Sequence, residues 1–235
     1  MQALGWHHVV YLVLAARWTV VLSLVAFVGG GLFGVVVTVL RVQPGSRAVR
    51  MLASGYIRIF QGTPLLMQLF LFYFGLSFAG FPLDAWTAVC VALSFYTSAF
   101  LAEIWRGCID AVPRGQNEAA VALSLSYVKR LRLVIAPQAL RIALAPTVGF
   151  LVQVVKNTSL AAIIGFAELV RAGQVVSNIT LRPLAVYAIV MTLYFALCWP
   201  LSLLSRYFER RLSKGVRPKP RDRKALQPEL QGVSA

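Results

Sequence analysis

The sequence predicts an all-α polytopic membrane protein that crosses a bilayer about five times, with its N-terminus outside and its C-terminus in the cytoplasm. Three observations predict it. Hydrophobic residues make up 59% of the 235 and charged residues only 13%, with a mean hydropathy of +0.74. A soluble domain is coated with roughly a quarter charged residues, so lipid must cover much of this surface. Several uncharged apolar runs are long enough to matter, and Lys and Arg gather in alternate connections between them, as the positive-inside rule expects. The stretches 41–58, 106–141 and 206–224 hold nineteen of the twenty-three basic residues; only Arg17, Lys156, Arg171 and Arg182 fall elsewhere. That asymmetry requires an odd number of spans, and five are found.

The first span runs Thr19 to Leu40 without a charge. Its twenty-two residues rise far enough to cross a hydrocarbon core of ~30 Å. Residues 1–18 are expected as a periplasmic or interfacial lead-in. They carry no Lys or Arg before Arg17, so the first span should serve as its own insertion signal. Gly29, Gly30, Gly31 and Gly34 are expected to let a neighbouring helix approach closely. The second span, Pro64 to Ala79, is short and is expected to extend back through Tyr56–Phe60. Gly80 to Asp84 form a tight turn into the third, Ala85 to Ala102. The fourth begins near Ile142, carries Pro146 and meets Lys156, Asn157, Thr158 and Ser159. The fifth, Leu184 to Leu204, contains Pro200. The membrane domain is thus 19–212. A basic, Pro-rich tail at 213–235 cannot bury enough apolar surface to fold and is expected to be disordered.

The formal charge of +15 does not indicate nucleic acid, because no stretch interleaves aromatics with Lys and Arg. Cys90, Cys108 and Cys198 lack C-x-x-C spacing and read as apolar filler. His7 and His8, ahead of the first span, are expected at the surface. Glu103 and Arg106, three apart on one helix, are expected as a structural pair at the inner interface.

The connection at about 106–139 is long and patterned. After Pro113, Arg114 and Gly115, a helix is expected to open at Gln116 or Asn117, with Glu118 in its first turn where a carboxylate suits the positive helix end. Ala119 and Ala120 continue it and Ser124 interrupts. A second short helix over Tyr127–Ile135 exposes Lys129, Arg130 and Arg132, and Pro137 ends it. Two short helices of this kind make a compact cytoplasmic knob. The bland alternative is an amphipathic helix resting on headgroups.

The triplet Glu118-Ala119-Ala120, with Ile135-Ala136-Pro137-Gln138-Ala139-Leu140-Arg141 after it, resembles the E-A-A loop of binding-protein-dependent ABC importer permeases. Gln61-Gly62-Thr63-Pro64-Leu65-Leu66-Met67-Gln68-Leu69 is similar to a signature of the polar amino-acid (histidine/glutamine/arginine-type) branch. So are Glu103 to Ile109, Gly115-Gln116-x-Glu118, and Lys156-Asn157-Thr158-Ser159-Leu160 with Glu168-Leu169. Together they cover about Ala53 to Ala172 in the family's order. Three positions depart from it: Ser124 stands where Gly is common, Gln61 where Arg is usual, and Gly149 near a usual Asn.

The resemblance implies a type I ABC importer permease fold in a bacterial inner (plasma) membrane. It implies a second permease subunit, usually a different chain, a cytoplasmic ATPase dimer and a periplasmic solute-binding protein. No Walker A pattern is present, so ATP hydrolysis is expected on a separate chain, and no cofactor is implied. The ATPase-coupling residues would be Gly115, Glu118, Ala119, Ala120, Ser124, Arg130, Arg132 and Pro137, with Arg130 or Arg132 meeting acidic residues of the ATPase. Polar groups at membrane depth are costly and so are functional candidates. Lys156, Asn157, Thr158 and Ser159 are the first of these, with Gln68 and Tyr96 behind them; the alternative is a helix end whose Lys156 snorkels to the outer interface. The expected cargo is a polar amino acid or similar small solute. A non-transporting anchor that docks a partner through the same loop is the competing reading. A secondary transporter would need paired acids within its spans, and Glu103 is the sole acidic candidate.

Overall fold

In the computed structural model, residues 4–213 are described; the basic tail beyond Ser213 lies outside them, as do residues 1–3. Eight helical elements follow one another: α1 (Trp6–Val42), α2 (Arg47–Gly62), α3 (Leu65–Phe78), α4 (Ala85–Asp110), α5 (Arg114–Ala122), α6 (Tyr127–Ile164), α7 (Leu169–Thr180) and α8 (Pro183–Ser213). Four of them (α1, α4, α6 and α8) are long and apolar enough to cross a membrane, and α2 with α3 passes the same test only as a bent pair, a fifth span if the two count as one and otherwise a re-entrant loop.

α1 is one uninterrupted helix of 37 residues, about 55 Å long. The lead-in is therefore its first turns from Trp6 onward, projecting beyond the hydrocarbon. His8 departs from its expected surface position: it is buried, and its Nδ1 accepts the Gly5 N–H at 3.2 Å, capping α1.

α1 lies against α4 over most of its length, and the glycines explain how. A Cβ on Gly30 would stand 2.5 Å from Thr97 Cβ and 2.9 Å from the Ser94 carbonyl; one on Gly34 would be 3.2 Å from the Ser98 carbonyl. Packing between membrane helices relies on such close approach because lipid offers no hydrophobic drive between them. A Cβ on Gly31 would meet only Leu101 Cδ1, at an ordinary 4.0 Å.

The second span is not the single helix expected. α2 and α3 meet at 105° across Thr63 and Pro64. Proline has no N–H and forces its predecessor to be extended; Thr63 has φ −114° and ψ 142°. The freed carbonyls are taken up by Gln68, whose Nε2 lies 2.9 Å from the Phe60 carbonyl, 3.1 Å from that of Thr63 and 2.9 Å from Thr63 Oγ1. The expected tight turn follows, with Gly80 at φ 87° and Asp84 capping α4 through Thr87.

The fourth span also differs. Pro137 does not end a short helix, and no new helix starts near Ile142. α6 continues from Tyr127 through Asn157, with a π turn at Leu131–Ile135 and a 3₁₀ segment over Thr158–Ile164. The π turn is the physical reason. Pro137 cannot donate, and its ring would press on the carbonyl four residues back; widening the preceding turn, so that Ala136 N–H reaches Leu131 O, makes room without breaking the rod.

The main core joins α1, α3, α4 and α6 through Leu22, Leu69, Val89, Leu93 and Val154. A second core, Leu12, Leu169, Val176 and Val186, packs α7 between α1 and α8.

Candidate functional site

The expected residues fall into two regions at opposite ends of α6. At one end is the knob. α5 starts at Arg114, with Pro113 as its cap residue, two residues earlier than expected. Glu118 therefore lies in the second turn rather than the first. The helix ends in a Schellman arrangement: Leu125 N–H bonds Ala120 O at 3.1 Å, Ser124 N–H bonds Val121 O at 2.8 Å, and Ser124 takes φ 55°. Glycine suits that left-handed position best, so the serine carries a strain a glycine would not.

Three contacts fix the knob to the membrane domain. Ala120 is 2% exposed. Gln138 Nε2 donates to Gln116 Oε1 at 3.3 Å, joining α5 to the rod. Tyr127 donates its hydroxyl proton to the Val42 carbonyl at 2.7 Å, joining the rod's start to the end of α1. The outer surface stays open. Gly115, Glu118, Ala119, Ser124, Arg132 and Pro137 are all exposed, and Glu118 has no ion pair with any described residue. Leu123, Val128 and Leu133 are 75%, 70% and 65% exposed, an apolar display of the kind that marks an interaction surface. Arg130 separates from Arg132: its guanidinium lies over the Tyr127 ring, 5.4 Å from the centroid, and turns inward.

At the other end, α6 gives way to 3₁₀ structure at Thr158. Ser159 Oγ donates to Lys156 O at 2.7 Å, Thr158 Oγ1 to Val155 O at 2.8 Å, and Gln153 Nε2 to Asn157 Oδ1 at 3.0 Å. Lys156 is exposed, Thr158 fully buried. Lys156 and Ser159 border a cavity of about 600 Å³ against α8, shared with Tyr194, Trp199, Ser202 and Arg206. Tyr96 faces Asn157 from α4. The structure thus gathers Tyr96 and residues 156–159, while Gln68 is occupied at the α2–α3 bend.

One residue of this end stands in the sequence only as part of the Glu168-Leu169 motif, with none of its contacts legible from it. Glu168 is 0% exposed. It caps α7 by accepting Arg171 N–H at 3.0 Å, and it also accepts from Tyr194 at 2.9 Å and Thr19 at 3.3 Å. Thr19 in turn accepts Leu169 N–H. α1, α7 and α8 meet at this one carboxyl, and Tyr194 also borders the cavity. An acidic residue beside apolar Leu169 is the available signal; its partners lie 149 and 26 residues away.

Glu103 and Arg106 form the expected pair, Arg106 Nε lying 3.0 Å from both carboxylate oxygens, and Asp110 closes on the same guanidinium. The three cysteines are unbonded, as filler should be.

Residues 30–214 match the family model described as "Binding-protein-dependent transport system inner membrane component". The probable glutamine ABC transporter permease protein GlnM of Bacillus subtilis is 37% identical over 83% of this chain and 90% of its own. The glutamine transport system permease protein GlnP of Escherichia coli K12 is 33% identical over 88% and 95%. A crystal structure of an amino acid ABC transporter with histidines shares 34% identity, with a TM-score of 0.82 over 86% of this chain and 94% of that one.

Proposed function

On the premise that the chain belongs to the family of binding-protein-dependent transport system inner membrane components, we propose that it forms half of the pathway for a polar amino acid or similar small solute. Its knob is the docking element for a cytoplasmic ATPase dimer. A second permease subunit, a different chain, supplies the other half, and a periplasmic binding protein delivers the solute at the bacterial inner membrane. ATP is hydrolysed on the ATPase; this chain carries no phosphate-binding loop for it.

The observation that supports this most is α6 itself. One continuous helical rod has the knob at its cytoplasmic end and Lys156 to Ser159 beside a cavity at its other end, about 44 Å away. A push on the knob is then felt where solute would pass. Glu118 and the exposed Leu123, Val128 and Leu133 give the docking face a charge and an apolar area, a combination suited to a groove with a basic or polar lip. Arg132, on the surface, is better placed than Arg130 to meet an acidic residue of the ATPase.

The test is Glu118→Lys in the complex co-expressed with its ATPase and second permease. The variant should insert normally, while the ATPase is lost from membranes or its hydrolysis no longer rises with solute-loaded binding protein. Normal uptake by the variant would reject the docking assignment. A fully assembled wild-type complex whose ATP hydrolysis ignores solute-loaded binding protein would favour the anchor reading.

A further inference from the structure

Under the knob lies a second cavity, of about 650 Å³ and open on one side, lined by the last turns of α1 and α4, by α5 and by the start of α6. Four arginines line it, Arg41, Arg106, Arg114 and Arg130, against a single acid, Asp110. Asp110 and the nearby Glu103 are both committed to Arg106. Arg41, Arg114 and Arg130 therefore have no carboxylate within ion-pair distance among the described residues. The Nε atoms of Arg41 and Arg130 are covered and lack a hydrogen-bond partner. Buried donors are nearly always satisfied; Glu103 acts on Arg41 electrostatically without pairing with it, and the like charges of Arg41, Arg114 and Arg130 around one space favour an anion between them.

We infer that this cavity binds a phosphate-class anion, and that its source is the headgroup of an anionic lipid in the cytoplasmic leaflet. The depth argues for lipid. Arg41 is the first charge after the uncharged run from Thr19 to Leu40, so it sits where the hydrocarbon ends and the phosphates begin. Arg106 and Asp110 occupy the equivalent turns of α4. Guanidinium groups match phosphate oxygens through paired N–H donors, and the volume admits a phosphate with its glycerol attached. A lipid seated here touches α1, α4 and both helices of the knob. It ties the base of the lever to the membrane, while the docking face of Glu118 and Leu123 remains free. The inference depends on the membrane orientation and not on the solute.

Binding is measured on the intact complex after delipidation, by native mass spectrometry with phosphatidylglycerol or phosphatidylcholine in mixed micelles, and with inorganic phosphate as competitor. Wild type and the control Arg47→Gln, which removes an exposed charge at the start of α2 outside the cavity, should retain phosphatidylglycerol in preference to phosphatidylcholine. Arg41→Gln and Arg130→Gln should each weaken retention about fivefold, and together about 30-fold, from a contribution near 1 kcal/mol per basic residue. Where the double variant does not assemble, Arg114→Gln, on an exposed side chain, should alone give about fivefold. Equal retention by Arg47→Gln and the cavity variants overturns the site. Ready displacement by inorganic phosphate, with no preference between the two lipids, overturns lipid as the source. Because nothing is transported in this assay, its failure leaves the importer reading untouched.

Discussion

Replacing Gln68 by Met tests whether this side chain staples a broken helix or lines a solute path, since it keeps the volume and removes the donors. In the structure Nε2 serves two main-chain carbonyls that the break has stripped of partners. Phe60 O would accept from residue 64 in an unbroken helix, but that residue is proline. Thr63 O would accept from Met67, whose N–H instead reaches Pro64 O at 3.0 Å. Leaving a buried acceptor unpaired costs about 1–3 kcal/mol, so two orphaned carbonyls predict a loss of about 2–6 kcal/mol. An ordinary hydrogen bond between membrane helices averages only ~0.6 kcal/mol. The difference is large enough to decide. Detergent-titrated unfolding of the purified complex should therefore place Gln68→Met at least ~2 kcal/mol below wild type, with uptake falling in proportion to the folded fraction. Gln68→Glu should be about as harmful, because a carboxylate accepts but does not donate. A polar lining residue behaves differently: Glu would preserve wetting and stability. Wild-type stability in Gln68→Met, with uptake reduced, would refute the staple and restore Gln68 to the pathway.

Ser124→Gly should raise the melting temperature of the complex and stabilise it by about 1 kcal/mol, by relieving a left-handed residue, with ATPase docking unchanged. Gly30→Leu should separate α1 from α4, because even a Cβ there meets Thr97 at 2.5 Å; overpacking of this kind costs about 1–3 kcal/mol or more, read as loss of folded protein on extraction. Tyr194→Phe removes a 2.9 Å donor from the buried Glu168 and should destabilise by about 1.5–3 kcal/mol, the range for hydrogen bonds to charged or chargeable groups; thermal melting checks it. Asp84 caps α4 through Thr87, and those hydrogen bonds hold its carboxyl below the usual range. A carboxyl lowered on folding contributes above its unfolded pKa and loses that contribution as pH falls through its folded value. Asp84→Ala should therefore cost stability at neutral pH and progressively less as the medium is acidified, in melting curves run across that range.

Topology was the most legible part of the fold because two strong constraints act on it, the thickness of hydrocarbon and the placement of Lys and Arg. Both are local, and both survive without any knowledge of packing. The glycines of α1 were legible for the same reason: small residues in a span have few uses. The prolines were less so. Pro64 and Pro137 look alike in sequence, yet one breaks the chain by 105° and the other rides inside a rod behind a π turn. What separates them is whether nearby groups can take up the orphaned backbone, and for Pro64 that group is Gln68. The helix that carries Glu118 was legible from composition, although it begins at Arg114, ahead of the expected Gln116 or Asn117. Glu168 and the arginine cavity depended on contacts across the whole chain. Arg41 and Arg130, or Thr19 and Glu168, carry no sign in sequence that they will meet.

The mechanical reading turns on where α6 is stiff and where it yields. A force applied at Glu118 reaches Lys156 only if nothing between them folds up. Two prolines lie on that path, and each is braced. The π turn preserves main-chain bonding ahead of Pro137, Ala136 donating to Leu131. Beside Pro146, Ser205 of α8 donates to Ala145 O at 3.0 Å and Trp105 of α4 donates to Thr147 Oγ1 at 2.9 Å, so both neighbouring spans grip the helix at its weakest point. Gly149 belongs to this brace, because a Cβ there would lie 3.2 Å from Ser205 Oγ, and a larger residue would push α8 away. Beyond Asn157 the character changes. The 3₁₀ segment has poorer hydrogen-bond geometry than an α-helix, and it ends at Gly165 in the left-handed region, φ 87°. Stiffness thus lies between the knob and Lys156 and compliance lies beyond it, so on the proposed docking a displacement entering at the knob would be delivered to the cavity wall at residues 156–159 instead of being absorbed on the way.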